Sequence, residues 1–562
     1  MASSSNTTSF SSGIGPWRAG TGFVVMLTTL PVLAIIWLAF FPTENIWPHL
    51  VQTSLPRYVS NTIVLMLGVG VSVFLTGVST AYLVSNYSFP LQKYFEWLLL
   101  LPLAVPAYVI AYLYTDLLEY AGPVQYALRS MFGWELARDY WFPNVRSMGG
   151  AILLMGLVLY PYVYLMARAS FLEQSQHLYD VSRLMGKSRL QTFLFVSLPI
   201  ARPAIAVGVA LALMETMNDF GTVDFFAVHT LTAGLFDVWL NMNNLGGAAQ
   251  IALTMLSFVL VLLGLEYVGR RRAGFYQKSG RFSKKEKIKL SGGWKWVAFL
   301  VCFLPVFAGF IVPTGMLIEY SIRYFEQSWT AQFRTYVFNS LSVSLTAAAI
   351  CSIIAITIGY TRRLENNRWL KTGSKLASLG YAVPGAVLAV GVVIPLANFD
   401  NLIDGFFRQS FGFSTGLIFS GTTFALIMTY VIRFLAISIG NVESSFSKIS
   451  PSIDMASRTL GHPPFRALRL FQFPLIKGGV FTAALIVFVD CMKELPATLL
   501  LRPFNFDTLA THVYLFASDE MIEKSALGAL VIVISGLIPV VVLSKTISYS
   551  QTLTRPASST TD

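Results

Sequence analysis

Asp180-Val181-Ser182-Arg183-Leu184-Met185-Gly186 and Met455-Ala456-Ser457-Arg458-Thr459-Leu460-Gly461 are two copies of one segment, and in each copy twelve residues separate the glycine from a proline, Pro199 or Pro474. Residues 179–185 and 454–460 contain no Gly or Pro and suit a short helix, whose small side chains (Ser182, Ala456, Ser457) let another surface approach closely. Gly186 and Gly461 then permit a backbone turn that a Cβ would resist. Pro199 and Pro474 suit the first turn of a following helix, where a missing N–H costs nothing. An ordinary loop duplicated along with everything else accounts for the repeat, but not for a helix, a turn and a proline kept in register.

Around these loops the chain is apolar. Of its 562 residues 55% are hydrophobic and 12% charged, more apolar than a water-soluble surface permits. Long apolar runs lie at 21–41, 62–84, 97–117, 149–166, 251–265, 296–317, 341–360, 377–396, 416–439 and 526–543. Most approach the ~20 residues that cross a ~30 Å hydrocarbon core. Two shorter runs, 204–214 and 480–489, are followed by charged residues and count as spans as well. The expectation is an all-α polytopic membrane protein of about twelve transmembrane helices, six in each half.

The formal charge of +12 sits mainly in loops between runs, which fits the positive-inside rule better than nucleic-acid binding. The densest block (Arg270, Arg271, Arg272, Lys278, Arg281, Lys284, Lys285, Lys287, Lys289, against Glu286) follows the sixth run and reads as cytoplasmic. An even number of spans before it puts the N-terminus inside, and the basic loop with Arg362, Arg363, Arg368, Lys371 and Lys375 then falls inside too. The C-terminus follows. Ser-rich residues 1–16 read as a disordered tail, and the run after Trp17 and Arg18 as an uncleaved first span rather than a signal peptide. Cys302, Cys351 and Cys491 stand singly in apolar sequence and read as core residues.

Other matches make the duplication general. Asn61-Thr62 opens the second run and Asn339-Ser340 the eighth, and Ala104-Val105-Pro106 recurs as Ala382-Val383-Pro384 at an offset of 278 residues. The expected organisation is a tail (1–16), a first transmembrane domain (17–269), a basic cytoplasmic linker (270–293), a second transmembrane domain (294–548) and a C-terminal tail (549–562). Gly186-Lys187-Ser188 imitates the end of a phosphate-binding loop, but Val181 stands where its first glycine belongs, so the chain carries no ATPase of its own. His49, His177, His229, His462 and His512 lack metal-ligand spacing. No catalytic constellation stands out, and any metal site is unknown.

At the two loops the sequence resembles the permease subunits of ATP-binding-cassette (ABC) importers, whose loop runs Glu-Ala-Ala, three residues, Gly, nine residues, Ile-x-Leu-Pro. The first copy fits as Asp180-Val181-Ser182, Gly186 and Val196-Ser197-Leu198-Pro199; the second as Met455-Ala456-Ser457, Gly461 and Phe471-Gln472-Phe473-Pro474. Neither copy has the Glu, and Asp180 keeps an acid where Met455 does not, which points to non-equivalent contacts. The resemblance implies the MetI-like permease fold, a coupling role for Asp180, Ser182, Arg183, Gly186, Pro199, Ala456, Ser457, Arg458, Gly461 and Pro474, and two copies of a separate ATPase. Segments 101–108, 215–222, 493–498 and 501–510 resemble fused permeases for ferric iron. That implies ferric iron as substrate, a solute-binding protein as donor, and the bacterial inner membrane as location; fused permeases for thiamine or other small solutes share the architecture. A secondary transporter driven by an ion gradient is the rival from another class.

The offset of 275 between Gly186 and Gly461 carries Glu215 onto Asp490 and Asp219 onto Glu494. Each pair is spaced i, i+4, on one helix face. Counting from Pro199 at ~1.5 Å per residue puts Glu215 roughly 24 Å across a ~30 Å core, towards the outer side. Glu215, Asp219, Asp490, Lys493 and Glu494 are thus candidates for a translocation path or gate, where hard carboxylate oxygens suit a hard cation. The structural alternative pairs Asp490 with Lys493 and uses the other acids as helix caps or contacts for the binding protein.

Overall fold

The computed structural model describes residues 5–271, 287–365 and 367–553. Among them, 11 helices are long and apolar enough to cross a membrane, or 12 when one bent pair counts as a single span. These helices overlap all twelve expected runs. The helix Ser5–Phe40 begins inside the stretch read as a tail, and most of the basic linker and of the C-terminal tail lies outside the described residues.

The third run departs from a simple span. Its helical pieces Gln92–Ala104 and Ala107–Phe132 are bent by 89°. Val105 is extended (φ −97°, ψ 121°) and so is Pro106 (ψ 143°). The cause is local: a residue before proline is pushed out of the α region, and proline brings no N–H to continue the ladder. The second copy of Ala-Val-Pro behaves alike, with Val383 extended (φ −84°, ψ 127°) before the helix Gly385–Phe411. The runs at 204–214 and 480–489 are in turn longer than expected, belonging to stretches Arg189–Asn218 and Pro464–Met492. Glu215 and Asp490 sit inside these helices rather than ending them.

Pro199 and Pro474 stand in the first turn of the α-helices Leu198–Asn218 and Phe473–Met492 as expected, but each of these helices continues without a break from a preceding helical stretch. A wider π turn precedes each one, Phe193–Ser197 and Leu468–Gln472, closed by Leu198 N–H to Phe193 O and Phe473 N–H to Leu468 O. Proline inside an α-helix removes a bond and crowds the preceding turn, and a π turn relieves both.

Packing divides the chain into two compact units. One comprises Met1–Trp47, Leu235–Leu256 and Ala331–His512; the other comprises Pro48–Gly234, Ser257–Thr330 and Val513–Asp562. Each sequential half therefore contributes to both units. In the first unit the N-terminal helix packs on second-half helices: a Cβ on Gly391 would meet the Pro31 carbonyl at 2.5 Å, and Trp17 meets Tyr360 edge-on at 5.0 Å. Its core gathers Cys351, Ala355, Tyr430, Phe434, Val487 and Cys491. In the second unit, helices Leu55–Asn86 and Leu198–Asn218 close on Met148–Glu173 through small residues, since a Cβ on Gly77 or on Gly208 would come within 2.8 Å of Val163. Close backbone approach of this kind replaces the hydrophobic drive that lipid does not supply.

Candidate functional site

Both duplicated loops fold as the sequence dictates at their turns. The helix Gln176–Leu184 starts at Ser175, whose side chain accepts from His177 N–H, and ends on Gly186 at φ +75°. Lys187 N–H returns to Ser182 O (3.1 Å) and Gly186 N–H to Arg183 O (2.9 Å), a Schellman ending that satisfies carbonyls left open at a helix end. The helix Pro451–Thr459 ends on Gly461, also at φ +75°, with His462 N–H returned to Ser457 O (3.1 Å). Nothing lies within 4 Å of a Cβ at either glycine, so conformation rather than space requires it.

On the outer face stand Asp180, Arg183 and Met185 in the first loop, and Met455, Ala456 and Leu460 in the second. Leu190 and Phe465, at corresponding positions by the 275 offset, are exposed beyond each glycine. Each loop thus presents apolar side chains beside its turn. Ser182 and Ser457 correct the expectation that they line this face: both are buried against their own chain. The Arg458 side chain lies outside the described residues.

Behind the exposed faces, the two copies hold their helices by different chemistry at corresponding positions. In the first, Ser182 and Thr192 hydroxyls share a hydrogen bond of 2.8 Å. In the second, Ala467 stands where Thr192 does, and the buried Ser457 hydroxyl has no hydrogen-bond partner among the described residues. Tyr179 accepts from Ser197 (2.9 Å) and donates to Gln174 (2.8 Å), whose amide donates to the Ser197 carbonyl (2.9 Å). Burial pushes the Tyr179 phenol up to about 12, so it remains a donor at neutral pH. Asp454 and Gln472 occupy the positions of Tyr179 and Ser197, and they too are hydrogen-bonded, with Arg363 on the other Asp454 oxygen (2.8 Å).

Away from the loops, three of the four acids singled out in the sequence do structural work. Asp219 accepts from Thr222 N–H (2.9 Å) and Oγ1 (3.0 Å) and from Val223 N–H (3.3 Å), opening the short helix Gly221–Phe225. Glu494 accepts likewise from Ala497 N–H (3.2 Å), three residues on in both copies. Asp490 pairs with Lys493 at 2.9 Å. Glu215 is half-buried on the same helix that leads to Asp219. The capping and pairing alternatives raised by the sequence are therefore both present.

The sequence reading missed Arg433. It lies in the helix Thr423–Ser447, within a run read as apolar, and pairs with Glu494 at 3.1 Å, each side chain 4% exposed. Gly385, first in its helix after the Ala-Val-Pro break, makes room: a Cβ there would collide with both groups. The signal was available, since a lone arginine in a span needs a partner. Val158 holds the corresponding place in the first half. A second missed contact is a swap of polarity. Glu96 pairs with Arg168 (2.8 Å) and Lys287 (2.9 Å), whereas at the corresponding positions Ser374 donates to Glu443 (3.1 Å), which also pairs with Arg362.

Comparison with known proteins bears on these loops and halves together. Residues 73–274 match the family described as binding-protein-dependent transport system inner membrane component. The Fe(3+)-transport system permease protein FbpB 2 of Haemophilus influenzae is 26% identical over 506 residues, covering 88% of this chain and 91% of that protein. The ferric transport system permease protein FbpB of Actinobacillus pleuropneumoniae is 22% identical, over 90% of this chain and 74% of its own. The molybdenum transport system permease protein ModB of Escherichia coli is 27% identical, but over 35% of this chain and 87% of its own. Similarity to the first two therefore spans both halves, while the third matches about a third of the chain.

Proposed function

We propose that this chain, a fused two-domain permease subunit of the ABC-importer type, carries ferric iron across the bacterial inner membrane. The observation that carries the importer reading is the pair of glycine-terminated helices, Gln176–Leu184 and Pro451–Thr459, each with exposed apolar residues beside a left-handed turn. One separate ATPase subunit docks on each, so two copies serve one chain, and both loops and both termini face the cytoplasm in keeping with the basic residues near them. ATP is bound and split on those partners. Their closure draws the loops and opens the path outward, and hydrolysis resets it.

Iron as the solute is supported by the ferric names of the relatives that cover about nine-tenths of the chain. A binding protein delivers it at the outer face. Glu215 in one unit, and Asp490 with Lys493 in the other, all partly exposed, are each candidates to offer a polar surface to the path or its gate. Asp219 and Glu494 act there indirectly, by fixing the short helices that follow. Uptake of radioactive ferric iron by cells lacking the chain, against complemented cells and with thiamine uptake as control, tests the assignment. Lost iron uptake with normal thiamine uptake is expected; unchanged iron uptake overturns it.

A further inference from the structure

The helix Ala331–Leu364 ends beside the second loop, and its last turn reaches that loop on both sides of Gly461. On the near side Arg363 uses its guanidinium as a fork. Nε donates to Asp454 (2.8 Å) in the loop helix, Nη1 to the Phe446 carbonyl (2.6 Å), and Nη2 to the carbonyls of Ile449 (3.0 Å) and Ser450 (3.2 Å). Phe446 lies in the last turn of the helix Thr423–Ser447, where open carbonyls and the helix dipole favour a cation. On the far side the Tyr360 hydroxyl donates to the Pro464 carbonyl (2.7 Å), a buried bond. Asp454 is held a second time by Gln472, on the π turn that leads back into the span. One helical turn thus grips the segment before the glycine, the segment after it, and the end of a neighbouring span.

We propose that Arg363 and Tyr360 are positioning residues that fasten the second loop to the helix Ala331–Leu364, so that displacement of the loop by its partner is carried into that span. The inference rests on the permease reading and adds the route by which one loop is connected. Its physical basis is donor geometry. A planar guanidinium with several fixed donors holds oxygens of three segments at once, which neither a lysine nor a hydroxyl does. A loop held so cannot shift without moving the helix or breaking several charge-assisted bonds.

The first loop lacks half of this device. By the 278 offset Tyr82 corresponds to Tyr360, and it too packs beyond the loop glycine, its ring 4.4 Å from that of Phe193. Arg363 corresponds to Ser85. In place of Asp454 stands Tyr179, held by neutral hydrogen bonds to Ser197 and Gln174. A tyrosine beside the loop is common to both copies, with a ring contact to Phe193 in the first and a hydroxyl bond to the Pro464 carbonyl in the second, whereas the charged grip belongs to the second, which makes the second loop the more rigidly connected of the two.

The test uses the chain with its ATPase in proteoliposomes, measuring ATP hydrolysis and uptake of radioactive ferric iron delivered by the binding protein. For R363M the iron moved per ATP split should fall at least about fivefold, the lower range of allosteric coupling factors, while ATPase still copurifies. R363K should recover little, because it restores charge without the fork. A purely structural role would lower the amount of complex, and hydrolysis and uptake together, leaving their ratio unchanged. Equal ratios for R363M and wild type overturn the clamp and leave the permease reading standing. Wild-type chain that brings down no ATPase overturns both. Should R363M fail to assemble, Y360F decides, since it removes one hydroxyl: a lowered ratio supports the clamp, and a wild-type ratio overturns it.

Discussion

Arg433 and Glu494 form an ion pair at 3.1 Å, each side chain 4% exposed, joining a transmembrane helix to the turn after another. Breaking such a pair from one side strands a buried charge. Arg433→Ala or Glu494→Ala should therefore cost about 3–5 kcal/mol, whereas replacing both by apolar residues of similar volume (R433M with E494M) should recover most of it. Thermal unfolding of the purified chain in detergent measures this. A double variant as unstable as the singles would show that the pair is not what stabilises the site.

Gly385 is the clearance for that pair, so Gly385→Ala should destabilise although alanine suits a helix better. The insult is overpacking against charged groups, worth about 1–3 kcal/mol. Ala107, the corresponding residue of the first half, already carries a Cβ, and Ala107→Gly should instead cost only the usual flexibility penalty of about 0.5–1 kcal/mol. The same unfolding assay compares them; similar losses would contradict the steric account.

Gly186 and Gly461 adopt φ +75° in open space, which separates conformation from crowding. A β-branched residue in the left-handed region should cost more than asparagine, which visits it readily, and alanine about 1–2 kcal/mol. The order Gly, Asn, Ala, Val should appear in the amount of ATPase retained on purification. Retention that followed side-chain size alone, with alanine better than asparagine, would mean that the exposed surface and not the turn is what matters.

Ser182 and Ser457 look alike in sequence and differ in partner. Ser182→Ala breaks the bond to Thr192 and should cost about 0.5–1.5 kcal/mol, while Ser457→Ala should be neutral or slightly stabilising. Ala467→Thr should supply the second loop with the bond the first one has. Amide hydrogen exchange of residues 176–192 and 451–467 reads each change locally. Equal responses at the two serines would refute the asymmetry.

Much of this protein was legible in order of residues. Hydrophobic runs of membrane-spanning length mark the helices, because lipid demands an apolar exterior and satisfied backbone. The duplication follows from registers that the structure reproduces bond for bond: Asn61 donates to the His229 carbonyl and Asn339 to the Asp507 carbonyl, both at 3.0 Å, while Thr62 and Ser340 hydroxyls accept from Leu231 and Leu509 N–H. The loop turns were equally plain, since a glycine after a short helix has few other uses. The π turns before Pro199 and Pro474 were not, because proline tolerates a helix start and a widened helix alike and the choice depends on what precedes it.

Tertiary structure decided the rest. That Ser182 faces inward, that Glu494 meets Arg433, and that Arg363 reaches Asp454 and three carbonyls all depend on which helices become neighbours. So does the grouping of Met1–Trp47 with second-half helices, which no run of residues announces. Local chemistry along a chain fixes where helices begin, bend and end, because those choices are settled within a few residues. Partners of buried charges come from residues tens or hundreds of positions away, and only packing brings them within hydrogen-bonding distance.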